Sequence, residues 1–251
     1  MPIFEEGWTC SPECTAAGVE QAIAREMAGQ TEIREMHRHR IPLGLVMLEQ
    51  GWISTQQLRA AVEAQKASGA GRLGHWLIRQ GATSEERVTR ALGLQWSCPM
   101  LPVRGAECEA LHVALPRLFV DAFGALPLRI AAGQVLYLGF EESLDPALAF
   151  AVERMASLRV ESGFVPESTF RPAHSRILQG AFPPVELVEA ASQKAAAHAL
   201  TRSLERQAPV ASRLVRVHDC LWLRLWLRAQ SGPLPETGAV RDIVCSIGKI
   251  Q

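Results

Sequence analysis

Several side chains in this chain have the types and spacing for chemistry. Cys10 and Cys14 with His37 and His39 could supply the four nitrogen and sulfur ligands that zinc takes. His-x-His is an unusual second half of such a set, and the 22 intervening residues read as helical. The expectation is therefore free thiols in a leader and no metal site. His218-Asp219 suggests a metal phosphohydrolase, but that chemistry needs further His and Asp ligands on helices, and this pair lies in a strand-like run. His174-Ser175 and Asp121 form no nucleophile motif, and no Gly-x-Ser-x-Gly elbow occurs. A phosphate-binding loop, Gly-x-x-x-x-Gly-Lys-Ser/Thr, is also missing, since "SIGKIQ" lacks the first glycine and the hydroxyl. The expectation is a protein that is not an enzyme.

A different pattern carries more information. "PLGLVMLEQGWISTQQLRAAVEAQ" (Pro42 to Gln65) and "RLGHWLIRQGATSEERVTRALGLQ" (Arg72 to Gln95) align without a gap. Each copy reads as two short helices joined by a glycine turn. Leu43, Met47 and Leu48 fall on one helical face, as do Leu73, Leu77 and Ile78. Gly51 and Gly81 fit the position past a helix end where a positive φ is needed. Ser54 and Ser84 are N-caps, and Gln57 completes a capping box with Ser54. Leu58, Ala61, Val62 and Gln65 share a face of the second helix, matched by Val88, Ala91, Leu92 and Gln95. Only the second copy opens with a cation, Arg72; the first opens with Pro42, and Arg40 stands two residues before it.

The rest of the chain must position these copies. The 251 residues are 48% hydrophobic, enough for one large domain or two small ones. Twenty-six Lys and Arg balance 26 Asp and Glu, so no global field calls for nucleic acid or an anionic membrane. Locally, residues 141–167 hold six acidic against two basic side chains, and residues 171–228 hold nine basic against four acidic. These segments could face each other or different partners. No apolar run is long enough to span a bilayer, the N-terminus is no secretory signal, and six scattered cysteines suit a reduced compartment, so the expected location is cytoplasmic.

The expected fold class is α+β. A leader and helix occupy 1–41, the tandem helical hairpins 42–96, a small α/β subdomain 97–181, and a C-terminal helix with strands 182–251. The helix before residue 41 reads as a surface helix or partner-binding arm. "LPRLFVDAFG" reads as a helix ending at Gly124. "ALPLRIAAGQVLYLGFEE" reads as a hairpin, Asp145 and Pro146 open a helix, and "LRVESGFVP" is a strand. "ESTFRPAHSRILQG" reads as a helix interrupted near Pro172, and a long helix is expected over 185–206. Beyond it, Leu221, Leu223, Leu225 and Leu227 point one way along a strand and Trp222, Arg224, Trp226 and Arg228 the other. The Trp/Arg face could stack bases or anchor a protein partner, or lie covered by the long helix with cation–π pairs within it. "AVRDIVCSI" could pair with that strand.

The doubled pattern of Arg-Leu-Gly, apolar residues, Gly, Leu and a closing Gln resembles the MshEN domain, the N-terminal module of type II secretion and type IV pilus assembly ATPases. "LPRLFVDAFGALPLRIAAGQVLYLGFEESLDPALAFAVERMASLRV" is similar to the segment that follows it there, so the resemblance covers about residues 42–175. It implies a regulatory or docking part without the motor. In that family the doubled motif binds cyclic di-GMP in some members, each copy handling half of the ligand. Carried to this chain, it implies Arg72, Leu73, Gly74, Leu77, Gly81 and Gln95 in the second copy. In the first it implies Leu43, Gly44, Met47, Gly51, Leu58 and Gln65, with Arg40 as a substitute cation for Pro42. An Arg fork suits guanine O6 and N7 or a phosphate. The alternative is a nucleotide-independent docking module for a secretion or pilus machine, favoured by Pro42 and by a link between copies one residue longer than usual. Either way the expected partner is a protein of such a machine and not nucleic acid.

Overall fold

The computed structural model describes residues 2–5, 7–29, 40–104, 111–230 and 232–248. The architecture is α+β among the described residues, with three small sheets, the first an antiparallel pair of β1 (Ile3–Phe4) and β2 (Gly7–Trp8), and helices packed on and between them. His37 and His39 lie outside the described residues.

The tandem copies form two helix pairs: α2 (Leu43–Glu49) with α3 (Thr55–Ser68), and α4 (Leu73–Arg79) with α5 (Glu85–Trp96). The start signals act as their chemistry dictates. Ser54 accepts from the Gln57 N–H while Gln57 Oε1 accepts from the Ser54 N–H, and Ser84 caps α5 through Arg87 N–H. Gly51 and Gly81 turn the chain at φ +66° and +69°. Val46, Met47, Ile53, Ala61, Leu77 and Ala91 form a small shared core.

The next unit is a three-stranded sheet of order β3 (Leu126–Ala131), β4 (Val135–Phe140), β5 (Arg159–Phe164). β3 and β4 are antiparallel, while β4 and β5 are parallel and joined by α7 (Pro146–Ala156). Short α6 (Arg117–Ala122) precedes the sheet, and α8 (Glu167–Ile177) follows it. The helix expected to break near Pro172 does not. α8 runs through it because Phe170, Ala173 and Ile177 are buried on one face, and that burial outweighs the one lost backbone bond.

The long helix expected over 185–206 is half strand. β6 (Val185–Ala190) pairs parallel with β9 (Val240–Ile247), and α9 (Gln193–Gln207) begins only after Ser192, which caps it through Ala195 N–H. Val-Glu-Leu-Val-Glu-Ala fits either periodicity; pairing with a central strand decides it. β7 (Ala211–Val217) and β8 (Cys220–Trp226) form a hairpin, and β9 pairs with β8, giving the order β6-β9-β8-β7.

This four-stranded sheet is covered on both sides. Leu214, Leu221, Leu223, Leu225 and Ile243 face α9 and α1 (Pro12–Ala28). Val19, Ala22 and Ile23 of α1 are buried there, so this helix is part of the fold and not a free arm. Val215, Val217, Trp222 and Val244 face the other way, into the core of the α/β unit. The inner half of the Trp/Arg face, Trp222 and Arg224, is thus covered by that unit, with Trp226 half-buried and Arg228 exposed, while the preceding helix covers the leucines. Arg224 does lie over the Trp222 ring, 4.9 Å from its centroid. Both side chains also bind Asp242: Arg224 Nε and Trp222 Nε1 each donate to Oδ1 at 2.7 Å, and Arg224 Nη2 to Oδ2 at 2.8 Å. Glu26 of α1 ties the layers together, accepting two bonds from Arg154 of α7 at 2.6 and 2.7 Å and one from Arg216 N–H of β7.

The β7–β8 turn holds a titratable pair. His218, at φ +51°, lies 2.6 Å from Asp145, which also caps α7 through Leu148 N–H. The hydrogen bond to Asp145 raises the His218 pKa above its ordinary 6.5, against the opposing pull of burial. A raised histidine pKa stabilises the fold fully below pH 6.5 and loses that contribution as pH climbs through the folded-state value. Stability should therefore fall above about pH 6.5, by less than about 1 kcal/mol because the pair is partly solvated. Denaturation curves of wild type and His218→Gln at pH 6 and pH 8 read this, the variant lacking that component.

Candidate functional site

The motif residues sit where the two helix pairs interlock. A Cβ on Gly44 would stand 2.7 Å from Leu58 Cδ1 and 3.2 Å from Leu73 Cδ2. A Cβ on Gly74 would stand 2.7 Å from Val88 Cγ1 and 3.8 Å from Leu43 Cδ2. Each glycine thus lets its short helix lie against its own partner helix and against the leading leucine of the other copy. The glutamines close the arrangement reciprocally. Gln65 Nε2 donates to the Gly71 carbonyl at 2.8 Å, just before Arg72, and Gln95 Nε2 donates to the Ile41 carbonyl at 2.6 Å, just before Pro42. Met47 and Leu77 are fully buried at equivalent positions.

The glycine contacts carry a prediction. Leu58 Cδ1 is the end of a flexible side chain, whereas Val88 is β-branched and stiff. Gly44→Ala should be close to neutral, since alanine's helix preference offsets the shift of Leu58. Gly74→Ala should destabilise by about 1–2 kcal/mol. Urea denaturation of the two variants checks the asymmetry.

The two copies differ in surroundings. Arg72, the N-cap residue of α4, is 60% exposed and ion-paired with Glu142, which follows β4. His75 of α4 lies 2.6 Å from Glu167, and Glu85 of α5 accepts from Ser168 N–H and Oγ at 2.6 and 2.7 Å, at the start of α8. Arg171 on the next turn of α8 pairs with Glu141 and Glu167. The second copy is therefore docked on the α/β unit through alternating charges. These contacts enclose a small recess walled by Leu43, Val88 and Leu92, with Arg72, Glu141 and Glu142 among its polar lining. Arg40, beside the first copy, lies over the Trp96 ring at 2.9 Å from its centroid, and desolvation there lowers its pKa. It is thus held against the last residue of α5.

Of the sequence-derived residues, the structure gathers Leu43, Arg72 and Gly74 at the recess. Gly51 and Gly81 lie in the turns, and Met47 and Leu77 in the repeat core. Glu141, Glu142, Glu167 and His75 are not legible as site residues from the sequence, and Glu85 is legible there only as a first-turn acid suited to the positive end of α5. The signal for most of them was the acidic excess over 141–167, which faces the cations of the second copy. Among the described residues, no group of three or more His, Cys, Asp or Glu could hold a metal ion, and no helix is long and apolar enough to cross a membrane.

No family model matches the chain. It is 29% identical over 138 residues to the type IV pilus assembly ATPase PilB of Myxococcus xanthus (strain DK1622). The match covers 53% of this chain and 24% of PilB, so the chain spans about a quarter of that relative's length. Among solved structures, MshE with cdg is similar at 29% identity and a TM-score of 0.43, over 55% of this chain and 99% of the other. The N-terminal domain of XpsE is similar at 20% identity and a TM-score of 0.35, over 53% and 92%. With its tandem motif and the α/β segment behind it, this chain resembles the MshEN-type domain at the N-terminus of type II secretion and type IV pilus assembly ATPases, and it is similar in sequence to one such pilus ATPase.

Proposed function

We propose that the protein is a non-motor regulatory adaptor of a type II secretion or type IV pilus machine, and that its second repeat copy reads one guanine of cyclic di-GMP. The observation that carries this reading is the meeting of Arg72 and Glu142 at the rim of an apolar recess between Leu43 and Val88. Guanine offers the acceptors O6 and N7 on one edge, which suits a guanidinium. It offers donors, N1–H and the 2-amino group, on its Watson–Crick edge, which suits a carboxylate. The recess holds about 80 Å³, less than a guanine, so the base enters as the Arg72–Glu142 pair parts, and the leucine and valine walls then cover part of its faces. The pair is half-exposed, so a base entering between the two side chains exchanges one screened ion pair for hydrogen bonds along both edges.

Thermal melting with about 100 µM cyclic di-GMP tests this through the stabilisation that ligand binding confers on the native state. The expected result is a rise in Tm that Arg72→Ala abolishes. No rise and no titration heat for the wild type contradict it.

A second reading, a nucleotide-independent docking module, is favoured by Pro42 and by the engagement of Gln65 and Gln95 in holding the two copies together. It predicts that a pilus or secretion motor retained on the immobilised protein is retained equally by Arg72→Ala.

A further inference from the structure

The C-terminal sheet has two edges, and they are treated differently. At the β7 edge, Glu5 N–H next to β1 donates to the Ser212 carbonyl at 2.9 Å, Ser212 Oγ donates to the Ile3 carbonyl at 2.8 Å, and Glu26 accepts from Arg216 N–H. β6 stands at the opposite end of the strand order, and among the described residues no strand pairs with its outer side. Asp242 N–H donates to the Pro184 carbonyl, and Gly248 N–H to the Ala190 carbonyl. In a parallel ladder the backbone groups of alternate residues turn to the same neighbour, so Glu186 and Val188 also face β9. Val185, Leu187 and Glu189 therefore turn N–H and C=O outward, and such a row is a template for another strand.

The residues of β6 say which strand fits. The β6–β9 register runs without a bulge, and Leu187 in the middle of β6 is 67% exposed. The groove between β6 and α9 balances its charges, Glu186 and Glu205 against Arg202 and Arg206, and Arg206 Nη2 already holds Glu186 at 2.6 Å. An antiparallel pairing of β6 with a second β6, about a two-fold at Leu187, aligns the outward groups of both. Leu187 then stands opposite Leu187 of the second copy, Val185 opposite Glu189, and Glu186 opposite Val188. A two-fold centred on Glu186 would oppose two carboxylates, and one centred on Val188 would set Leu187 against Glu189. The Leu187 centre joins apolar to apolar and opposes no like charges.

We propose that β6 is a dimer edge, to which a second copy of this chain adds its own β6 antiparallel about a two-fold at Leu187. The self-matching of Leu187 and the balanced charge of the groove favour a second copy over an unrelated strand. A contact of this kind is isologous and closes on itself. Because β1 and Glu26 cover the β7 edge, the joined sheet does not grow beyond two copies. The inference stands on the C-terminal sheet alone and is independent of what the repeat copies bind.

Sedimentation of the full chain from about 1 to 200 µM tests this, since mass action makes dimerisation depend on concentration. The expected result is a monomer–dimer equilibrium that Leu187→Lys, which sets two cations opposite each other, weakens at least about tenfold. Leu187 is exposed, so the change leaves the fold of one copy intact. Hydrogen exchange at both ends of that range locates the contact. The amides of Val185, Leu187 and Glu189 should gain protection as the wild type is concentrated, and not in Leu187→Lys. A wild type that stays monomeric throughout overturns the proposal. So does a dimer that Leu187→Lys leaves unchanged, or one that forms without added protection in β6.

Discussion

Asp242→Ala is expected to destabilise the fold by about 3–5 kcal/mol, the cost of removing one partner from a buried ion pair. Arg224 and Asp242 are 1% and 0% exposed, and they sit in the two central strands of the C-terminal sheet, on its α/β-unit face. Without the carboxylate, Arg224 keeps, among the described residues, the bond from Nη1 to the Ala114 carbonyl at 3.3 Å and its place over the Trp222 ring, and the Trp222 Nε1–H loses its acceptor. An uncompensated guanidinium then remains between β8 and the α/β core. Replacing both partners by apolar residues of similar volume, Arg224→Met with Asp242→Leu, should recover much of the loss, because no orphaned charge remains. Urea denaturation of the single and double variants measures this. Equal losses in both would mean that the sheet needs the pair itself.

Arg72→Ala is expected to act in the opposite way: large on ligand, small on fold. Arg72 is 60% exposed and its pair with Glu142 is screened, so the change in folding stability should stay below about 1 kcal/mol. Loss of a charged hydrogen-bonding contact to guanine should weaken binding by about 1.5–3 kcal/mol, or roughly 10- to 150-fold. Glu142→Gln should give a smaller loss, since the amide oxygen still accepts from guanine while the charge is removed. Calorimetric titration with the two variants checks the order.

The local devices of the fold were legible because they are written in adjacent residues. Ser54 with Gln57, Ser84, Gly51, Gly81, and Asp145 with Pro146 each specify a cap or turn, and each does so in the structure. Val185–Ala190 was misread because valine, leucine and glutamate in that order satisfy both periods, and only the remote partner β9 selects the strand. The partner of the Trp222/Arg224 face was unreadable for the same reason. Alternation shows that a strand has two faces, and long-range packing decides which neighbour covers each. At the site, Arg72 stood out as the cation opening the second copy where the first has Pro42, but its companion Glu142 lies in another unit. The acidic run over 141–167 gave the sign of that companion and not its identity. The link between Gln65 and Gly71, and between Gln95 and Ile41, needs the interlocked geometry of both copies.

The central claim is that Arg72 and Glu142 read guanine, and it is tested most directly by titrating the wild-type chain with cyclic di-GMP and with cyclic di-AMP in one calorimeter. The two ligands share charge, backbone and size, and differ at the base edges that the pair addresses. The account predicts heat and saturation with cyclic di-GMP and at least about tenfold weaker binding of cyclic di-AMP, from the mismatch of donors and acceptors. Equal affinity for both, or no binding of cyclic di-GMP, would contradict it.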